Sequence, residues 1–125
     1  NLAHYYVGVS HLHLGNFEEA SEYLSSYSCD DVLVCAVAYG ANGDAHLELG
    51  EYSDALSLYK RAVDHSDNEL TTPIYLKKAG YASELLGDYA GAKSFYERIE
   101  KEFPRSQEAG DIQKYIARVD GMSAN

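Results

Sequence analysis

Three histidines are the residues whose type and spacing first suggest chemistry in this chain. His4 and His11 lie seven residues apart, which places them on one face of a helix, and His46 recurs 35 residues after His11. Imidazole nitrogens are common metal ligands, but no carboxylate or thiol joins this set at ligand spacing. We therefore predict that the three rings pack against neighbouring helices, with no metal site and no cofactor.

No group of residues in the sequence indicates catalysis. Glu18, Glu19 and Glu22 fall on one solvated helix face, and no Ser/His/Asp or Cys/His combination can be argued from spacing. The GANG segment at 40–43 lies inside a helical pattern rather than after a strand, so it is not a phosphate-binding loop. We predict that the protein is not an enzyme.

The charge of the chain is strongly acidic and unevenly distributed. The formal net charge is −10. The length of 125 residues is enough for one domain with its own core. Residues 1–59 contain nine Asp or Glu and no Lys or Arg, whereas residues 60–125 contain eleven acidic and ten basic residues. Nucleic acid is excluded as a partner, because phosphate binding needs clustered basic residues. The acidic half either attracts basic partners or keeps the domain soluble.

The elements that carry these residues repeat along the chain. LGNFEEASEYL at 14–24 returns as LGEYSDALSLY at 49–59 and as LGDYAGAKSFY at 86–96, with periods of 35 and 37 residues. Repeats at this spacing predict a solenoid of helical hairpins. In each copy a small residue precedes the turn and another follows it: Gly8, Gly43 and Gly80 before, and Ala20, Ala55 and Ala92 after. We expect the two helices of a hairpin to cross closely there, with the alanines opposite the glycines.

The helical periodicity predicts seven helices. Their approximate bounds are 2–14, 17–28, 31–49, 52–65, 73–86, 89–103 and 107–119. Residues 121–125 are expected to form a disordered tail.

This pattern of Gly, Ala, aromatic and Pro residues resembles the tetratricopeptide repeat (TPR). The resemblance implies an all-α fold: a right-handed α-solenoid of three hairpins at about 1–34, 36–69 and 73–106, followed by a capping helix at 107–119, in one domain spanning 1–120. The signature tryptophan of the family is replaced by His4, Tyr39 and Leu76, and only the third copy keeps the closing proline, Pro104.

The resemblance also implies a protein segment bound on the concave face. The well-known chaperone-tail binders of the family grip a terminal carboxylate with Lys, Asn and Arg or Lys, but the matching places here hold Tyr5, Val9, Ala41, Ile74 and Lys78. Because only Lys78 keeps a suitable charge, binding of a chaperone tail is not expected.

Stacking of the repeats predicts which residues line that face: Tyr5, Val9, Leu12, Val37, Gly40, Ala41, Asp44, Glu48, Ile74, Lys77, Lys78 and Tyr81. We expect a notch over Gly40 and Ala41 that accepts a large partner side chain. Two alternatives remain: Gly40 only lets a neighbouring helix approach, or upstream helices cover Tyr5 and Tyr6.

A narrower resemblance concerns location. NLAHYYVGV, LTTPIYLKKAG and IQKYIARV resemble a group of bacterial TPR proteins with an upstream membrane anchor and the repeats on the periplasmic side. The chain starts at Asn1 rather than Met, so we expect it to be part of a longer protein, and no apolar run here approaches a membrane span. Cys29 and Cys35 match no metal or redox motif and leave the compartment open, with the cytoplasm as the alternative.

Two functions are therefore expected to compete. The first is a non-catalytic scaffold that binds a protein or peptide of unknown identity on its concave face. The alternative is a structural module that forms homo-oligomers through Leu2, Tyr6 and Tyr23.

Overall fold

A computed structural model of the chain describes residues 2–66 and 68–123, with the side chains at 32 and 33 left out. This part of the chain is helical and contains no strand, which confirms the predicted all-α class. The helices are α1 (Leu2–His13), α2 (Phe17–Ser25), α3 (Val32–Glu48), α4 (Tyr52–His65), α5 (Thr72–Leu85), α6 (Tyr89–Glu102) and α7 (Ile112–Ser123), with a short 3-10 helix at Glu108–Asp111. Each helix contacts the next along the chain, giving three helical hairpins and a final helix on α6.

The turn within each hairpin is set by a glycine in the left-handed conformation. Gly15, Gly50 and Gly87 have φ values of 82°, 79° and 80°, and no other described residue has a positive φ. The first helix of each hairpin ends with the same pair of backbone hydrogen bonds, seen in α3 as Gly50 N to Leu47 O at 3.1 Å and Glu51 N to His46 O at 2.9 Å. This Schellman arrangement satisfies the last carbonyl groups of the helix, and a residue with a Cβ would be strained at the glycine position.

The two helices of each hairpin cross closely at the second set of glycines, but the partner differs from the prediction. A Cβ built on Gly43 or Gly80 would lie closer than 3.0 Å to the ring of Tyr59 or Tyr96, and one on Gly8 would meet Leu24. The sequence predicted alanines opposite these glycines. The alanines are buried as well, but the larger side chain four residues later fills the space.

Two helix bounds differ from the sequence prediction at the C-terminal end. The last helix was predicted as one element at 107–119, but a 3-10 helix with Gly110 precedes α7, because glycine weakens an α-helix interior. The predicted disordered tail is wrong for residues 121–123, since α7 continues one turn beyond the buried Val119. Residues 124–125 of that tail lie outside the described residues.

A disulfide joins Cys29 to Cys35 across the connection between α2 and α3. Cys35 is buried on α3, so the bond ties the end of the first hairpin to the start of the second. Among the helices of the described residues, none combines the length and the apolar character required to cross a membrane.

Candidate functional site

A groove of about 920 Å³ runs along the side of the solenoid formed by the first helix of each hairpin and by α7. Its lining residues are Leu12, His13, Phe17, Asp44, Leu47, Glu48, Tyr59, Ile74, Lys77, Lys78, Tyr81, Tyr96, Glu108, Tyr115 and Arg118. Tyr81, in the C-terminal half of α5, exposes 47% of its surface. The groove therefore presents a half-exposed aromatic ring among leucines and charged side chains.

The groove contains part of the predicted concave surface. Of the predicted residues, Leu12, Asp44, Glu48, Ile74, Lys77, Lys78 and Tyr81 line it, and Tyr5, Val9, Val37, Gly40 and Ala41 do not. The excluded residues precede the lining residues along α1 and α3, and the groove opens beside the C-terminal ends of these helices. The sequence prediction also missed Tyr115 and Arg118, because α7 was treated only as a cap.

The notch predicted over Gly40 is filled by the chain itself. A Cβ on Gly40 would lie closer than 3.0 Å to the ring of Tyr75 from α5, and Tyr75 is buried. The space that the notch would need at Gly40 is therefore occupied by the Tyr75 ring, which favours the alternative that Gly40 lets a neighbouring helix pack closely.

Asp44 is the centre of one charged cluster in the groove. Its carboxylate accepts a hydrogen bond of 2.6 Å from the Tyr59 hydroxyl and contacts of 2.9 Å from the Lys78 ammonium group. Burial and the adjacent Asp44 raise the pKa of Tyr59 far above its usual value. The phenol therefore stays protonated and donates to Asp44, while Lys78, which comes from the next repeat, balances the carboxylate.

Glu84 is the centre of a second cluster, which joins the third hairpin to α7. Its carboxylate accepts from the Tyr96 hydroxyl at 2.5 Å and from the Arg118 guanidinium group at 2.6 Å and 3.0 Å. Burial, followed by the hydrogen bond to Glu84, raises the pKa of Tyr96. Arg118 also lies 4.7 Å from the centre of the Tyr115 ring, which holds the guanidinium group at the edge of the groove.

Lys77 is the third cation of the groove, and it is also paired. Its ammonium group lies 3.4 Å from Asp111 and 4.6 Å from the centre of the Tyr115 ring. By contrast, neither Glu48 nor Glu108 forms a salt bridge within residues 2–66 and 68–123. The groove thus keeps its cations occupied and leaves two carboxylates unpaired.

The family model for the tetratricopeptide repeat matches residues 41–107, which is more than half of the chain. The chain belongs to the tetratricopeptide repeat family. A solved structure described as the first TPR of Spaghetti (RPAP3) bound to the HSP90 peptide SRMEEVD is similar over 99% of this chain and 93% of that one. The TM-score is 0.79 and the sequence identity is 20%, so the likeness shows the fold alone. No sequence among the curated proteins matches the chain.

Two of the three histidines pack in this TPR domain as predicted. His11 stacks on Tyr23 with ring centres 5.6 Å apart, and His4 meets the edge of the same ring at 5.8 Å. His4, which stands where the family has its signature tryptophan, thus keeps an aromatic contact between α1 and α2.

His46 has a different environment from the other two. Its ring nitrogens contact Ser21 at 3.0 Å and Glu51 at 2.8 Å, and donor atoms of His46, Glu51 and Asp54 lie within 4.8 Å of one another. The prediction that no carboxylate joins the histidines is therefore wrong at this position, because the Gly50 turn folds α4 back beside α3. Both carboxylates are exposed and both ring nitrogens are already hydrogen-bonded, so the contacts are accounted for without a metal.

Proposed function

We propose that this TPR domain is a non-catalytic module that binds a polypeptide segment in its groove. The observation that carries the proposal is the exposed Tyr81 ring in the lining of the groove, with Leu12, Leu47 and Ile74 in the same lining. Exposed aromatic and aliphatic side chains in a concave site are typical anchors for a protein partner. The TPR of Spaghetti, which shares the fold, is bound to a peptide.

The proposed segment differs from an acidic chaperone tail. Tyr5, Val9, Ala41 and Ile74 stand where that mode of binding needs charged or amide side chains, and Lys78 is already paired with Asp44. An incoming carboxylate would have to compete with Asp44 for the only suitable cation.

Selection from a displayed random-peptide library, followed by affinity measurement, tests the proposal. We expect Tyr81→Ser to weaken binding of the selected peptides about tenfold or more, because it removes a central aromatic anchor. Tyr6→Ser is the matched control, since Tyr6 exposes 61% of its surface and lies outside the groove. Equal loss of affinity in both variants, or no peptide that depends on Tyr81, would refute groove binding.

The alternative, self-association, is supported by the outer side of α1. Leu2 exposes 50% and Tyr6 61% of their surfaces there. If this surface joins two copies, light scattering will show a mass that rises with protein concentration, and Tyr6→Ser will abolish the rise while Tyr81→Ser keeps it. A constant monomer mass would remove this alternative.

We also propose that the domain works in an oxidising compartment, in line with the periplasmic location that the narrower resemblance implies. The Cys29–Cys35 disulfide supports this, since such bonds persist mainly outside the reducing cytoplasm. Thiol labelling after rapid acid quenching of intact cells tests it. Blocked cysteines support the proposal, and two labelled thiols in the quenched sample would favour the cytoplasm.

A further inference from the structure

We propose that the segment bound in the groove carries a Lys or Arg side chain that pairs with Glu48, flanked by apolar residues. This inference rests on the proposed function and specifies the chemistry of the partner. It is carried by the placement of Glu48 and by the charge balance of the groove.

Glu48 occupies a position where its own fold disfavours a negative charge. It is the last residue of α3, where the carbonyl ends of the aligned peptide dipoles give the helix a partial negative charge. Asp44 lies one turn earlier on the same helix, so two carboxylates face the groove at a spacing where like charges repel. No basic side chain within the described ranges forms a salt bridge with Glu48, so its charge is not balanced by a direct ion pair there.

The cations of the groove are already neutralised. Lys78 pairs with Asp44 at 2.9 Å, Arg118 with Glu84 at 2.6 Å and Lys77 with Asp111 at 3.4 Å. An acidic ligand would have to break one of these pairs, whereas a basic ligand meets a carboxylate that lacks a partner. Glu108 is a second lining carboxylate without a salt bridge among the described residues. The lining itself holds three acidic and three basic side chains. Because Lys77 and Arg118 pair with Asp111 and Glu84, which lie outside the lining, the groove together with these two partners has five acidic and three basic groups, a net charge of −2.

The wider surface acts in the same direction. Residues 1–59 contain nine Asp or Glu and no Lys or Arg, and α1, α2, α3 and the first turns of α4 lie within this range, so the wall that bears Glu48 carries acidic side chains without Lys or Arg. A basic segment is attracted to such a wall before contact, and the attraction weakens as salt is added. The SRMEEVD peptide in the Spaghetti structure carries two Glu, one Asp and one Arg, so its side chains have a net negative charge.

The apolar part of the groove suits the long stem of a basic side chain. Leu12, Leu47 and Tyr81 line the same groove as Glu48. The methylene groups of Lys or Arg pack on apolar surfaces while the charged end reaches a carboxylate, and a cation is favoured near an aromatic face. A Lys or Arg with apolar neighbours therefore satisfies the charge and the shape of this surface together.

The test uses two pools of bead-bound random peptides of equal length and equal Leu, Tyr, Ser and Gly content. The charged positions hold Lys and Arg in one pool and Asp and Glu in the other. The labelled domain is compared with Glu48→Lys, with Tyr81→Ser, and with Glu22→Lys, which makes the same charge change on an exposed residue outside the groove. Thermal melts accompany each variant, and Glu48→Lys should melt no lower than the parent because a cation suits the end of α3.

We expect the parent to retain basic beads about tenfold more than acidic beads, and Glu48→Lys to remove that preference while Glu22→Lys keeps most of it. If the acidic pool binds as well as the basic pool and Tyr81→Ser still abolishes binding, the inference is overturned while groove binding stands. If Glu22→Lys and Glu48→Lys act equally, overall charge replaces Glu48 as the cause and the inference fails. If neither pool binds in a way that depends on Tyr81, the inference and the proposed function both fail.

Discussion

Single residues decide how closely the helices of this TPR domain approach each other. At Gly43 and Gly80 the ring of the facing tyrosine occupies the volume that a Cβ would need. The hydroxyl groups of the same two rings reach the groove and donate to Asp44 and Glu84. The close crossing of the helices and the charge pattern of the groove therefore depend on the same side chains.

Gly80→Ala is expected to lower the free energy of unfolding by about 1–2 kcal/mol. Displacing the buried Tyr96 ring costs more than the better helix propensity of alanine returns. Gly121→Ala is the matched control, because nothing lies within 4 Å of a Cβ there, and it should raise stability by up to about 1 kcal/mol. Urea unfolding of both variants checks the pair, and a Gly80→Ala protein as stable as the Gly121→Ala protein would contradict this account.

Three buried tyrosines should make the domain sensitive to high pH. Burial is the first cause that raises the pKa of Tyr59, Tyr75 and Tyr96, and for Tyr75 the pKa reaches about 12. The pKa of these tyrosines in the folded protein exceeds the unfolded value of about 10. The stability that the protonated rings contribute is therefore complete below about pH 10 and is lost as the pH rises through the folded pKa values.

A pH titration that records tyrosinate absorbance together with circular dichroism tests whether stability falls as these tyrosines ionise. Of the twelve tyrosines, a minority should ionise only as the helices unfold. Ionisation of all twelve near pH 10 with full helical signal would show that these rings are not held in the protonated form.

At the scale of elements, the turns within the hairpins were predictable, and the disulfide and ion pair that connect one hairpin to the next were not. The turn glycines could be located because a repeated Leu-Gly followed by a polar and an aromatic residue indicates the end of one helix and the start of the next. The Cys29–Cys35 bond could not be predicted, because the spacing of two cysteines in a connection between helices does not give the distance between them in space. The Asp44–Lys78 pair was missed for a similar reason, because it depends on how α3 and α5 stack.

Reduction of the disulfide should lower the free energy of unfolding by about 2 kcal/mol, the value expected for closing a short loop. Denaturant unfolding with and without a reducing agent measures the change. The Cys29→Ser protein serves as the control, and the reducing agent should not alter its stability. A parent protein that shows no response, with two titratable thiols before treatment, would contradict the presence of the bond.

At the scale of the whole molecule, burial is unequal along the solenoid. Gly8 is the buried residue of α1, whereas α5 buries eight residues between Thr72 and Ser83. In a solenoid each repeat is stabilised mainly by its neighbours, so local opening follows local burial. We expect backbone amides of α1 and α2 to exchange with deuterium before those of α5 and α6. Equal protection of all hairpins would mean that the domain opens only as one unit.

The fold was largely predictable because repeated sequence implies repeated structure, and the groove was predictable only in part. Positions such as Leu12, Glu48 and Tyr81 follow from stacking the repeats. The space at Gly40 could not be judged from the sequence, because it depends on the direction of the Tyr75 ring. The contribution of α7 to the groove was not predicted, because Tyr115 and Arg118 lie beyond the last repeat. Both depend on contacts between elements rather than on any local pattern.

The central claim is that the groove binds a polypeptide, and the most direct measurement is a map of backbone amide NMR shifts during titration with a library-selected peptide. We predict the largest changes on α3, α5 and α7 around Glu48, Tyr81 and Tyr115, with the outer sides of α2 and α4 unchanged. Changes confined to the outer side of α1, around Leu2 and Tyr6, would contradict groove binding.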